Sequence, residues 1–224
     1  MGEKDTISHS PLPTPYSRRE ILNTRYIVGI DLGTTNSALA YVDNAAPEDG
    51  ARIEVGGVPQ LVNPGEVEDR SLLPSFLFIP GDMDFPKGSL NLPWDRNPQF
   101  VVGELARKRG AENPARLISS AKSWLSYSAV NRAAAILPWQ SPDEVPRLSP
   151  VEASARYLEY LRSMWDNRMA KKAPELALSE QEIFLTVPAT FDEEARELTL
   201  RAAEQSGLRR VTLLEEPQAA FYSW

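Results

Sequence analysis

The sequence predicts an α/β fold, and three observations carry that prediction. Residues 182–222 alternate apolar run, helical pattern, apolar run and helical pattern, the order of a right-handed βαβ unit. Residues 26–32, "YIVGIDL", are apolar on both faces except at Asp31, as expected of a central buried strand, and "SALAYVD" (37–43) reads as its hairpin partner. Short β-prone runs broken by Gly, Pro and Asp follow as far as residue 80, the pattern of an antiparallel meander.

Taken in order, residues 1–25 read as a flexible N-terminal arm. They hold "PLPTP" and no apolar core of a secretory signal. Met1-Gly2 with Thr6 matches the loose myristoylation pattern, but Glu3 is an unfavourable neighbour, and His9 reads as a solvated side chain. Beyond the hairpin, "ARIEV" (51–55), "QLVN" (60–63) and "PSFLFIP" (74–80) are expected strands. Residues 80–99, with four prolines and two glycines, form a long surface loop. A short strand and two helices, interrupted near Asn113-Pro114, are expected over 101–126, then a strand at "AAAILPW" (133–139). Ser149-Pro150-Val151-Glu152 starts a helix with an N-cap, a first-turn proline and a capping glutamate. Its stripe of Val151, Ala155, Leu158, Leu161, Trp165 and Met169 is a core face, which assigns Trp165 to packing and not to a ligand. "EIFLTVPA" is a buried strand, Asp192 caps the next helix and Gly207 closes it. "RVTLLE" and "EPQAAFYSW" supply the last strand and helix, and no internal repeat is evident.

Composition narrows the function. The 224 residues are 42% hydrophobic, enough for one or two domains with a real core. A formal charge of -7 argues against a nucleic-acid binder. With no cysteine and one histidine, thiolate sites, disulfides and multi-histidine metal sites are excluded, and the place of His9 in a polar N-terminal stretch argues against a serine–histidine triad. The lack of cysteine fits a reducing compartment. No apolar run reaches the roughly 20 residues of a membrane span.

The polar knot Asp31-Leu32-Gly33-Thr34-Thr35-Asn36-Ser37 has two readings on its own residues: a tight hairpin whose aspartate caps the turn, or a grip on phosphate. A turn of Gly33, Thr34, Thr35 and Asn36 can aim successive N–H groups at an anion, with two hydroxyls besides. Gly33 permits the close approach. A carboxylate at Asp31 on a buried strand would be costly alone, which favours a water-bridged Mg²⁺ as its partner.

Four segments in order resemble the 70-kDa heat-shock chaperones, the DnaK-like family of the actin and sugar-kinase superfamily. "IDLGTTNS" resembles the first phosphate motif, and "DRSLLPSFLFI" (69–79) the D-R-x-x-P-S strand. "VVGELARKRGAENPARLISSAKSWLS" is similar to the V-G-x-x-A, N-P and I-K-R-L-I-G segment. "LTVPATFDEEAR" followed by "LLEEPQAAF" resembles the V-P-A-Y-F and N-E-P-T-A-A pair. The resemblance implies a ribonuclease-H-like, actin-like ATPase lobe I with an inserted smaller α+β subdomain: residues 26–50 and 145–224 against 51–144. The second lobe and the substrate-binding domain would be absent.

It also implies ATP/ADP and Mg²⁺ as cofactors, client proteins and co-chaperones as partners, no nucleic acid or membrane, and a cytoplasmic location. Thr34, Thr35, Asn36 and Gly33 would hold phosphate, and Asp31 the Mg²⁺ through water. Lys122 would meet the γ-phosphate and the attacking water, with Glu216 beside them. Pro188 and Arg196 would relay nucleotide state. Each has a plainer reading: a solvated helix lysine, a first-turn acid at a helix dipole, a strand-ending proline, an exposed helix arginine.

Glu215 stands where the family has Asn, Thr190 where it has Tyr, and Arg201 at an acidic position. The family's glycine-rich second phosphate loop does not follow; no glycine lies beyond Gly207. The chain ends among apolar helical residues, as a truncation would. The expectation is therefore a DnaK-like fragment, a poor ATPase alone. A non-enzymatic interaction module and a small-molecule kinase are the competing readings.

Overall fold

The computed structural model describes residues 24–47 and 51–222. The "PLPTP" arm, His9 and the myristoylation pattern lie outside them, as do Ser223 and Trp224. The described arm residues are tied down: Thr24 is buried and Arg25 pairs with Asp43 at 2.6 Å.

The fold is mixed α/β. Its main sheet runs β11 (Val211–Glu215), β10 (Glu182–Val187), β1 (Tyr26–Leu32), β2 (Asn36–Asp43) and β3 (Glu54–Val55), with β6 (Leu73–Pro74) also paired to β2. β1 is antiparallel to β2 and parallel to β10, which is parallel to β11. The βαβ order expected from the sequence is thus present. Two smaller sheets follow: the hairpin of β4 (Val58–Asn63) and β5 (Glu66–Arg70), and β8 (Val101–Val102), β7 (Phe76–Phe78) and β9 (Leu117–Ser119).

Several expectations are corrected here. The single meander is three sheets, and the strand expected over 51–55 shortens to Glu54–Val55. The run at 74–80 is divided at Ser75, whose side chain is used elsewhere. β5, polar but for Val67, carries too little apolar signal to be read as a strand. Only the ends of the segment expected as two helices are helical, α1 (Glu104–Glu112) and α2 (Ala121–Leu125), because β9 pairs with β7 between them. Residues 133–139 form no strand, only a bridge from Leu137 to Leu148, in keeping with the weak β-preference of alanine. Nor is β1 buried on both faces: Val28, Ile30 and Leu32 are buried, while Gly29 and Asp31 are exposed.

The buried face rests on α3 (Pro150–Trp165) and α4 (Glu193–Gln205). Both helices begin as their sequences dictate. Ser149 Oγ accepts from Glu152 N while the Glu152 carboxylate accepts from Ser149 N, a complete capping box. The Asp192 carboxylate accepts from Ala195 N at 2.8 Å, and Gly207, at φ +83°, closes α4. Val151, Leu158, Leu161 and Trp165 are buried as the stripe predicts; fully burying one such leucine stabilises by about 1.5–3 kcal/mol. The Trp165 ring packs edge-on to Tyr26 and Tyr41, and its Nε1 donates to Leu176 O. Trp165 is a core residue. Helix α3 also reaches beyond the main sheet: Tyr157 Oη donates to Ser75 O and Tyr160 Oη to Pro59 O.

Arg132, 4% exposed, makes a bidentate pair of 2.8 Å bonds with Asp192. That hydrogen-bonded guanidinium, helped by the Ala195 N–H, lowers the Asp192 carboxyl to about 2. A carboxyl depressed below its unfolded value of about 4 adds stability above that value and loses it as pH falls through its folded value. Asn caps as well as Asp. Asp192→Asn should therefore lower stability in urea by a constant amount above pH 5, and the gap to wild type should narrow from pH 4 downward.

Candidate functional site

The site forms where the strands of the main sheet end. Register sets Gly29 beside Phe184 and Ile30 beside Leu185, so Asp31 comes level with Thr186. Thr186 Oγ1 donates to Asp31 Oδ1 at 2.8 Å, and Thr186 O accepts from Lys122 Nζ at 3.4 Å. Lys122 Nζ also donates to Glu216 Oε1 at 2.8 Å, at the start of α5 (Glu216–Tyr222). Asp31, Lys122 and Glu216, separated by up to 185 positions (216 − 31), are thereby joined through one threonine.

Two expectations change. Asp31 lies on the open face of β1, so the desolvation cost that favoured a metal partner does not apply; its charge is already eased by Thr186. Lys122 is no solvated helix lysine, because its side chain is only 5% exposed. Burying an ammonium requires compensation, which Glu216 and the Thr186 carbonyl supply. Glu216, about half exposed, keeps water access.

The knot is the turn of the β1–β2 hairpin, with Leu32 opposite Ser37. Ser75 buckles it from behind: its Oγ donates to Gly33 O at 2.7 Å, and its N–H to Thr35 O at 2.8 Å. With that proton committed to Gly33, the Ser75–Ser37 contact of 3.0 Å has Ser37 Oγ as donor. The turn's carbonyls are thus claimed, whereas the N–H groups of Thr34 and Thr35 make no hydrogen bond among the described residues. Both threonines are exposed. Any Cβ at position 33 would run into Asn36 O, so the closure requires glycine. A cleft of about 310 Å³ opens beside Asn36, lined by Gln60, Arg70, Glu104 and Arg107. A somewhat larger one, about 370 Å³, is lined by Trp94, Phe100, Arg156 and Tyr160, none of which belongs to these groups.

Pro188 follows the last residue of β10. Arg196, on α4, is partly buried; its guanidinium donates to Glu215 at 2.7 Å and to Phe191 O at 3.3 Å. The extra acid at 215 is therefore neutralised. Thr186 and Ser75 escaped the sequence reading as site residues. Each lies inside a quoted motif, "LTVPA" and "LLPSF", but a hydroxyl inside a strand run gives no sign of its partner.

No group of three or more metal-ligating side chains occurs among the described residues, and no helix among them is long and apolar enough to cross a membrane. The arrangement is one of exposed N–H and hydroxyl donors, a cation and two carboxylates around one edge, the inventory of phosphate-handling sites.

Comparison with known proteins finds curated chaperones similar to the chain. The chain is 30% identical over 205 residues to the chaperone protein DnaK of Deinococcus radiodurans, covering 86% of the chain and 27% of the relative. It is 33% identical over 208 residues to the chaperone protein HscA of Serratia proteamaculans, covering 88% and 28%. To an HscA homolog of Burkholderia ambifaria it is 31% identical over 218 residues, covering 93% and 28%. No family model matches. At the level of sequence, the chain belongs to the DnaK-like, 70-kDa heat-shock chaperone family. It spans little more than a quarter of the length of the curated relatives it matches.

Ser75→Ala would strand the Ser37 hydroxyl and the Gly33 carbonyl in a buried setting. Stability in urea should fall by about 2 kcal/mol, the cost of leaving such groups unsatisfied. Wild-type stability in that variant would remove Ser75 as the buckle of the turn.

Proposed function

We propose that this chain forms the first lobe of the ATPase domain of a DnaK-like chaperone. In this reading β1, β2, β10, β11 and α3–α5 form a ribonuclease-H-like layer, residues 26–50 and 145–224, and 51–144 an inserted subdomain whose β3 and β6 extend the same sheet. The intact protein would bind and hydrolyse ATP to drive binding and release of client proteins, with co-chaperones, in the cytoplasm. The observation that carries the proposal is the hydrogen-bonded chain Asp31–Thr186–Lys122–Glu216, beside a turn whose Thr34 and Thr35 N–H groups are unclaimed among the described residues.

The residues fit the groups they would serve. Mg²⁺ keeps several waters and uses one or two carboxylates with substrate phosphates, so the exposed Asp31 suffices without a protein cage. When bound, Mg²⁺ would neutralise charge developing on the phosphate. The Thr34 and Thr35 N–H groups and hydroxyls, with Asn36, donate to phosphate oxygens. The Lys122 ammonium, fixed by Glu216, offers its remaining proton to the terminal phosphate or the attacking water. Glu216 accepts a hydrogen bond from that water and orients it. Thr186 holds Asp31 in one rotamer. Pro188 and Arg196 would carry nucleotide state away from the site, with Arg196 tied to Glu215, the residue beside Glu216.

The full-length protein should show Mg²⁺-dependent ATPase activity that Lys122→Ala lowers at least about 10²-fold, as for loss of one preorganised donor. Unchanged turnover would remove Lys122 from the chemistry. Residues 26–224 alone, offering one wall of the cleft, should bind ATP more weakly than micromolar by calorimetry; micromolar affinity would contradict the one-lobe reading.

A further inference from the structure

Lys122 sits on a helix that cannot hold itself. Helix α2 has five residues, far below the length at which helices are stable alone. It also starts from Ser120 in the left-handed region, at φ 55° and ψ 35°, an unfavourable conformation for a residue with a side chain. Buried Ala121 and Leu125 anchor it to the core, and the Ser126 and Tyr127 N–H groups take the Ser123 and Trp124 carbonyls, which leaves the Leu125 carbonyl to be held by a group from elsewhere.

Arg132 meets that end. Its guanidinium donates to Leu125 O, the last residue of α2, at 3.3 Å, and grips Asp192, the N-cap of α4, with two bonds of 2.8 Å. Glu194 adds a third anionic contact at 3.5 Å. From α4 the chain of contacts returns: Arg196 pairs with Glu215, the next residue is Glu216, and Glu216 pairs with Lys122. The ion pairs close a circuit through α2, α4 and the β11–α5 junction, with Lys122 at one corner and Arg132 at the opposite one.

We propose that Arg132 is a positioning residue for Lys122, acting by clamping the end of α2 to the N-terminus of α4. The proposal rests on the reading of Lys122 as a phosphate-site lysine and deepens it. A planar fork is what the geometry uses: one guanidinium spans two carboxylate oxygens and a carbonyl, which an ammonium cannot do in the same plane. Misplacing a reacting group by about 1 Å costs as much as about 10²-fold in rate. Release of the clamp should therefore act on turnover.

The test uses the full-length protein with Arg132→Lys, which keeps the charge, and Asp192→Asn, which keeps the helix cap. Asp192 is half exposed and Glu194 stays near Arg132, so the second variant is the milder of the two. Three readouts apply: kcat and KM for ATP; amine labelling of Lys122 against exposed Lys171 by mass spectrometry; and near-ultraviolet circular dichroism. The last reports α2 directly, because its Trp124 stacks on Trp139 at 5.0 Å. Expected are a kcat about tenfold lower with KM within threefold, severalfold faster labelling of Lys122 but not Lys171, and a changed tryptophan signal. Folded variants with unchanged kcat and Lys122 labelling would overturn the proposal, as would a lowered Tm with nothing else altered. Faster Lys122 labelling in a protein without wild-type ATPase activity would uphold the clamp and count against the nucleotide reading.

Discussion

The register between β1 and β10 is the constraint on which the site depends. These parallel strands lie about 155 residues apart in sequence, yet pairing Ile27 with Glu182 through Ile30 with Leu185 brings Asp31 level with Thr186. A slip of one residue would turn Asp31 into the core and Val28 and Ile30 out of it. The hydrophobic cost of exposing those side chains fixes the register, and the register then delivers a carboxylate and a hydroxyl to the same open edge. Lys122 and Glu216 assemble against that edge because the Thr186 carbonyl and Lys122 give each a partner.

The β1–β2 turn is held from outside its own sequence. Ser75 takes the carbonyls of Gly33 and Thr35, and Tyr157 in turn holds the Ser75 carbonyl from helix α3. Burial pushes the Tyr157 hydroxyl far above its ordinary pKa, so it stays a neutral donor at any pH at which the protein is folded. One core helix thus braces both the sheet that carries Asp31 and the segment that buckles the turn. Preorganisation of this kind lets N–H groups meet an anion without rearrangement.

Local signals in the chain were readable wherever the physics is local. The Ser149 capping box, the Asp192 cap, the Gly207 stop and the stripe ending at Trp165 each follow from residues within a few positions of one another. That Lys122 and Glu216 share one site is implied only by resemblance to the DnaK-like family, and their direct pairing across 94 positions has no signal in the sequence. Thr186, Ser75 and Arg132 were missed for the same reason: their roles depend on which strands neighbour which. The reading of β1 as buried on both faces failed because its alternating side chains are all apolar or glycine apart from Asp31. Periodicity cannot show which of two apolar faces receives the helices. β5 failed oppositely, a strand of "EVEDR" stabilised by pairing with β4 and not by burial.

The central claim is that the β1–β2 turn and the Lys122–Glu216 pair address one phosphate group. The most direct measurement is a crystal structure of the full-length protein with ADP, Mg²⁺ and a transition-state analogue of the terminal phosphate. The account predicts the analogue within hydrogen-bonding distance of both the Thr34–Thr35 amides and Lys122 Nζ, with Asp31 reaching the cation through water. Nucleotide bound elsewhere on the lobe, with the turn and Lys122 unengaged, would contradict it.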